Sequence, residues 1–376
     1  MNISFESILI IIILAGFYVC LEGYLFFRSL SRVITEKTGK KLMLWVYWPV
    51  AVLGLFLFFY LRFSSGGLRS LFGLVSSCWG FFIFIPFFIL ADIVSLGAFL
   101  RRASLAFRFY IRAAVLVLAL GTVSLGILSA RYAKITDYAV TVEKPLPQNR
   151  LKVVMLSDIH IGSMVHKKQL AGLVSKINSL EGDIVLIAGD IIDRNLDAFR
   201  SENLGEELSA INAPLGVFAV PGNHDYFGGN LAELEKELRA AGVKLLVDEA
   251  VLLDNSFYLI GRNDFSAGRR GLTRSPLKEL IAGVDASLPI ILMDHQPVNL
   301  GETEEAGIDL QVSGHTHRGQ IWPGSIMTKR IYENHYGLLY KGKTAVVVSS
   351  GSGTWGPPLR IGTRSEIVRI VLANPL

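Results

Sequence analysis

Apolar residues crowd the first third of the chain into four near-continuous stretches, Phe5–Phe27, Leu42–Leu61, Leu71–Leu100 and Phe109–Ala130, separated by short polar loops. A bilayer crossing needs about 20 apolar residues. The pattern predicts an all-α transmembrane region of about four helices over residues 1–130. Beyond it the period changes. Short apolar runs recur at Lys152–Leu156, Ile184–Ala188, Val217–Val220, Pro289–Met293 and Leu310–Ser313, the length and continuity expected of buried strands. Between them, Lys168–Leu180 and Leu231–Ala241 carry the spacing of amphipathic covering helices. Strands alternating with helices predict an α/β domain. Ile135–Val142 alternates as a first strand, and Pro145-Leu-Pro147 marks a turn after it. Residues 131–150 therefore read as a connector with the first strand, and 151–376 as the main domain.

Charge gives the apolar region an orientation. Arg28, Arg32, Lys37, Lys40 and Lys41 fall between the first two spans, and Arg101, Arg102 and Arg108 between the last two. The opposite side carries only Arg62 and Arg69, then Arg131 and Lys134. Basic loops stay cytoplasmic, so four crossings leave the N-terminus and the main domain on the extracytoplasmic side of a bacterial cytoplasmic membrane. Trp45, Tyr47, Trp48 and Tyr60 sit near the ends of the second span, where interfacial aromatics belong. Glu22 and Asp92 read as helix-end or snorkelling charges, and Pro86 as a kink in the third span. The net charge of +5 concentrates beside the spans, pointing to a phospholipid membrane as partner and away from nucleic acid. Both cysteines, Cys20 and Cys78, lie in the apolar third, so the domain has no disulfide framework.

Five of the seven histidines lie inside five short motifs between Asp158 and His317. These are Ser-Asp158-Ile-His160, Gly-Asp190-Ile-Ile-Asp193, Gly-Asn223-His224-Asp225, Asp294-His295 and Gly-His315-Thr-His317. Each follows one of the predicted strands, and open α/β sheets gather their ligands beyond strand C-termini. Asp158 and His160, two apart, are expected to point to one side of an extended backbone, and His315 and His317 to repeat that geometry. Carboxylate, amide and imidazole donors without thiolate suit a pair of divalent ions, with Mn, Fe and Zn equally compatible. Such ions lie about 3.5–4 Å apart and clamp the oxygens of a phosphoryl displacement.

With these motifs in this order, the chain over about residues 136–372 resembles the calcineurin-like metallophosphoesterase superfamily, and within it the membrane-attached bacterial phosphodiesterases. The resemblance implies a four-layer α/β/β/α sandwich. It implies that Asp158, His160 and His317 bind one metal, that Asn223, His295 and His315 bind the second, and that Asp190 bridges the two. A water activated between the ions would attack phosphorus. His224 would bind a phosphate oxygen or protonate the leaving alkoxide, with Asp225 orienting it. Asp193 would support its loop, and the segment Gly351-Ser-Gly353-Thr354-Trp355-Gly would border the cleft. The glycines beside the ligands are read as allowing tight turns and close approach to the metals. Arg194, Arg262, Arg318 and Arg360 are candidates to neutralise a substrate phosphate, with ordinary charged surface as the alternative for each. His166 reads as a surface residue and His335 as lining or underlying the cleft. The expected activity is hydrolysis of a phosphodiester, with a lipid-linked or cell-envelope phosphate as substrate. The alternatives are a nucleotide or cyclic-nucleotide phosphodiesterase merely localised by its anchor, and a metal-binding sensor without turnover.

Overall fold

The computed structural model describes residues 105–374, apart from 163–164, 194 and 227–230. The first three apolar stretches, with Cys20, Cys78, Glu22, Asp92 and Pro86, lie outside the described residues, as does Arg194. The fourth stretch lies within helix α1 (Leu105–Arg131). Among the described residues no helix is long and apolar enough to cross a membrane. The last turns of α1 are instead bound to the domain: the carbonyls of Gly126 and Ser129 accept hydrogen bonds from the N–H groups of Arg360 (3.1 Å) and Ser365 (3.0 Å). The compact unit holding the sheets begins inside this helix, at Leu120.

Two six-stranded sheets follow. One has the order β1 (Lys134–Thr141), β12 (Glu366–Ala373), β2 (Arg150–Leu156), β3 (Ile184–Ala188), β4 (Val217–Val220) and β5 (Val243–Leu245). The other runs β10 (Gly337–Lys341), β11 (Thr344–Val348), β9 (Leu310–Ser313), β8 (Ile290–Met293), β7 (Phe257–Gly261) and β6 (Glu249–Leu253). Strands β2 to β5 are mutually parallel, as are β7, β8, β9 and β11. Parallel strands need crossovers, and helices α2 (Lys167–Asn178), α3 (Asp197–Ser201), α4 (Leu204–Ser209) and α5 (Leu231–Ala240) lie between those of the first sheet.

Alternation along each strand divides the core. Val153 and Met155 of β2 join Leu186, Phe218, Leu259, Met293 and Val312 in an apolar layer shared by both sheets. Val154 and Leu156 face the other way, onto Leu170, Leu173 and Val174 of α2 and Leu234 and Leu238 of α5. A smaller cluster covers the outer side of the second sheet, joining Leu292 of β8 to Leu277 of α6 (Leu277–Leu280), and α7 (Leu300–Glu305) leads from β8 to β9. Strands buried on both faces read as unbroken apolar runs, which is why the short runs of the sequence are strands. The molecule is a mixed α/β sandwich of two sheets.

Candidate metal centre

All five motifs emerge where strands end: Asp158 after β2, Asp190 after β3, Asn223 after β4, His295 after β8 and His315 after β9. Stacking the sheets brings the two sets together. The local backbone, however, is not the extended one expected from the two-residue spacings. Asp158, His160, Asp190, His315 and His317 all have positive φ, between 47° and 68°. Non-glycine residues in this region carry strain of about 1–3 kcal/mol each and cluster at functional sites. Asp158 and His160 therefore converge through successive left-handed turns, not through strand alternation.

The glycines of the motifs have a more specific role than flexibility. A Cβ on Gly189 would stand 2.5 Å from His295 Nδ1, one on Gly222 2.2 Å from Asp190 Oδ1, and one on Gly314 2.4 Å from Asp158 Oδ2. Each glycine thus leaves the space that a ligand from a different motif fills. Gly353 does the same for the first motif: its N–H bonds the Asp158 carbonyl (2.9 Å), and a Cβ there would stand 2.0 Å from the Ile159 carbonyl oxygen. The glycine-rich closing segment therefore borders the site as expected.

Three donor groups result, each with its ligand atoms within 4.8 Å of one another: Asp158, His160 and His317; His160, Asp190 and His224; and Asp190, His295 and His315. Nε2 of His317 lies 3.2 Å from Asp158 Oδ1 and 3.1 Å from Nε2 of His160. Asp190 Oδ2 lies 3.3 Å from His295 Nε2 and 3.8 Å from His160 Nε2. Burial pushes both carboxyls up, but His317 beside Asp158 and His295 beside Asp190 outweigh it and hold each below the usual carboxylate range. Burial brings His160 and His315 down to about 4, so these imidazoles are neutral, as ligands must be.

Two further details fit the residues to a cation. His295 donates Nδ1–H to the Ala188 carbonyl at 2.7 Å, the outer-shell bond that fixes a ligating tautomer. The Asn223 amide oxygen is buried in the site without a hydrogen-bond partner. A buried acceptor of that kind costs about 1–3 kcal/mol unless something binds it.

The third motif departs from expectation at Asp225. Its carboxylate is fully buried and accepts from the N–H groups of Ile191 (3.0 Å), Ile192 (2.9 Å) and Gly222 (2.8 Å), tying two motif loops together. Burial, then the nearby Asp190 charge, pushes it up to about 7. The group at His224 is Asp193: Nδ1 of His224 donates to the Asp193 carbonyl (3.0 Å) and lies 3.4 Å from its carboxylate. Burial pulls His224 down, but Asp193 and then Asp190 outweigh it and raise the imidazole to about 9. The assignment of Asp225 as orienter of His224 is corrected accordingly.

The arginine candidates also sort themselves. Arg262 is buried against Asp294 (3.6 Å) and Glu302 (3.1 Å). Arg360 is fully buried, donating to the carbonyls of Ser350 (2.6 Å) and Gly353 (2.7 Å). Neither is available to a substrate. Arg318 stacks 4.2 Å over the Tyr336 ring. His166 pairs with Glu202 at 2.6 Å on the surface, and His335 contacts Thr328 Oγ1 at 3.1 Å. A cleft of about 880 Å³ opens beside Asn223 and His315, lined also by Phe265, Arg269, Arg270, Gln296 and Tyr332. Arg269 and Arg270 were not singled out by the sequence, where only their adjacency could have marked them.

A two-sheet α/β sandwich with paired carboxylate–imidazole clusters at its strand ends defines a metallophosphoesterase. The family model for calcineurin-like phosphoesterases matches residues 151–319. A transmembrane protein with a metallophosphoesterase domain from Danio rerio is 32% identical over 321 residues, covering 79% of this chain and 72% of that protein. A metallophosphoesterase of Aquifex aeolicus is 30% identical over 65% of this chain and 94% of its own length, and one of Helicobacter pylori is 37% identical over 59% of this chain. The matched region spans about 60% of the length of the Helicobacter protein. The chain belongs to the calcineurin-like metallophosphoesterase family.

Proposed function

We propose that the protein is a membrane-anchored, dinuclear-metal phosphodiesterase acting on a lipid-linked or cell-envelope phosphate. The observation that carries the catalytic part is the position of Asp190, shared by a donor group with His295 and His315 and by another with His160 and His224. One carboxylate standing between two ligand sets is what a bridged ion pair requires. Asp158, His160 and His317 would hold one ion and Asn223, His295 and His315 the other. When bound, two divalent ions (Mn, Fe or Zn) supply Lewis-acid stabilisation of the phosphoryl oxygens and lower the pKa of the attacking water.

The remaining work falls to the chain. His224, its Nδ1 engaged by Asp193, would hold the proton that the leaving alkoxide needs. Arg269 and Arg270 line the cleft and would neutralise the part of the substrate that does not react. Anchoring is supported by the apolar stretches Phe5–Phe27, Leu42–Leu61 and Leu71–Leu100 of the sequence and by the Danio rerio and Bos taurus relatives, both described as transmembrane proteins with this domain.

The test is turnover by the purified full-length protein on an aryl phosphodiester, an aryl phosphomonoester, soluble cyclic nucleotides and envelope lipid extracts. The reading predicts chelator-sensitive cleavage of the diester above the monoester and release of phosphate or headgroup from the lipid fraction. Cleavage of nucleotides alone would transfer the assignment to a nucleotide phosphodiesterase.

A further inference from the structure

Beside the cleft, a short helix turns its apolar side chains outward. No residue of α8 (Gly324–Ile331) is buried. Met327 and Ile331 are 65% and 67% exposed, and Trp322, just before the helix, 63%. Ile326 is exposed as well. Lys329 and Arg330 occupy its last turn, and the helix carries no acidic residue. The adjoining Glu333 is already engaged by Lys341 at 2.7 Å.

Backbone hydrogen bonds tie this segment to the end of α1, which carries other exposed apolar groups. Trp322 N–H bonds the carbonyl of Ile361 (2.8 Å), and the neighbouring Arg360 N–H bonds Gly126 in the last turns of α1. Leu125, Ile127 and Leu128 of those turns are exposed. The far end of α8 leads into the cleft, because Ile331 and Tyr332 line it together with Phe265, Arg269 and Arg270. Phe265, Arg269 and Arg270 are themselves exposed.

Water disfavours such a surface, since apolar area contributes about 25 cal/mol per Å² when removed from it, and large contiguous apolar patches mark interaction sites. An exposed tryptophan, an aliphatic helix face and flanking basic residues together are the chemistry of a helix lying in the plane of an anionic bilayer. Each Lys or Arg near such a surface adds about 1 kcal/mol.

We propose that Trp322 and the apolar face of α8 insert into the headgroup region of an anionic phospholipid bilayer, so that the cleft opens onto the membrane surface. For its substrate this deepens the function proposed above and rests on it; the docking itself does not.

The experiment uses the full-length chain with Cys20 and Cys78 replaced by Ser and an environment-sensitive fluorophore at Met327→Cys, or at Glu305→Cys as control. The protein is reconstituted into vesicles of phosphatidylcholine alone or with phosphatidylglycerol. In the anionic vesicles the label at 327 is expected to shift to the blue and be quenched by nitroxide-bearing lipids. Lys329→Glu with Arg330→Glu should reverse both effects, while the label at 305 stays in water. A label at 327 as open to aqueous iodide as the control overturns the proposal. So does a blue shift that ignores lipid charge and nitroxide lipids, which would mean that a protein or a second copy covers the helix. Turnover of a soluble aryl diester in the same samples keeps the two readings apart: an inserted label on an inactive protein refutes the catalytic reading, and a solvent-exposed label on an active one refutes the docking.

Discussion

Gly222 and Asp190 come so close that a methyl group on the first would stand 2.2 Å from a carboxylate oxygen of the second. The third motif is thus a template for the second. Gly222→Ala should displace Asp190 and lower both bound metal and turnover. Gly172 in α2 has nothing within 4 Å of its Cβ position, and Gly172→Ala should leave metal content intact and stabilise the fold by about 0.5–1 kcal/mol. Metal analysis and thermal unfolding of the two variants check this.

His224 and its neighbours give a second contrast. His224→Ala should reduce kcat by about 10²–10⁴-fold, the usual contribution of a positioned general acid, with metal content kept. Asp193→Asn should lower kcat in the same direction, by about 10-fold or more on that scale, with KM little changed. Asp225→Asn should act on stability instead. It weakens hydrogen bonds from three backbone N–H groups, interactions worth about 0.5–1.5 kcal/mol each, and denaturant titration should show the loss.

Arg360 acts through the backbone that holds Asp158. Its guanidinium binds the Ser350 and Gly353 carbonyls, and Gly353 in turn donates to the Asp158 carbonyl. Arg360→Met would leave the two carbonyls unsatisfied at about 1–3 kcal/mol each. The unfolding midpoint should fall, and the metal held by Asp158, His160 and His317 should dissociate before the other.

Much of this was legible in the sequence because the two periodicities involved are simple. Three predicted strands, Ile184–Ala188, Val217–Val220 and Leu310–Ser313, coincide with β3, β4 and β9, since strands buried on both faces appear as uninterrupted apolar runs. The motifs were legible because donor residues recur after each run. What the sequence did not disclose depends on three-dimensional closure. The left-handed backbone at Asp158 and His160 has only a weak residue signature, because Asp and His are enriched at positive φ but adopt it in a small minority of cases. The exchange of roles between Asp193 and Asp225 could not be read from adjacency: Asp225 is next to His224 in the chain, yet its carboxylate is spent on the N–H groups of Ile191, Ile192 and Gly222. Arg262 and Arg360 looked like phosphate ligands by position, and only burial shows that they serve Asp294, Glu302 and main-chain carbonyls.

The central claim is that Asp190 joins two metal sites, and metal stoichiometry with turnover tests it most directly. Purified protein should contain two divalent ions per chain. His317→Ala and His295→Ala should each retain one, Asp190→Asn should weaken both, and all three should lose chelator-sensitive hydrolysis of an aryl phosphodiester. Two ions retained in Asp190→Asn with unchanged turnover, or turnover by wild-type protein that survives complete removal of metal, would contradict the account.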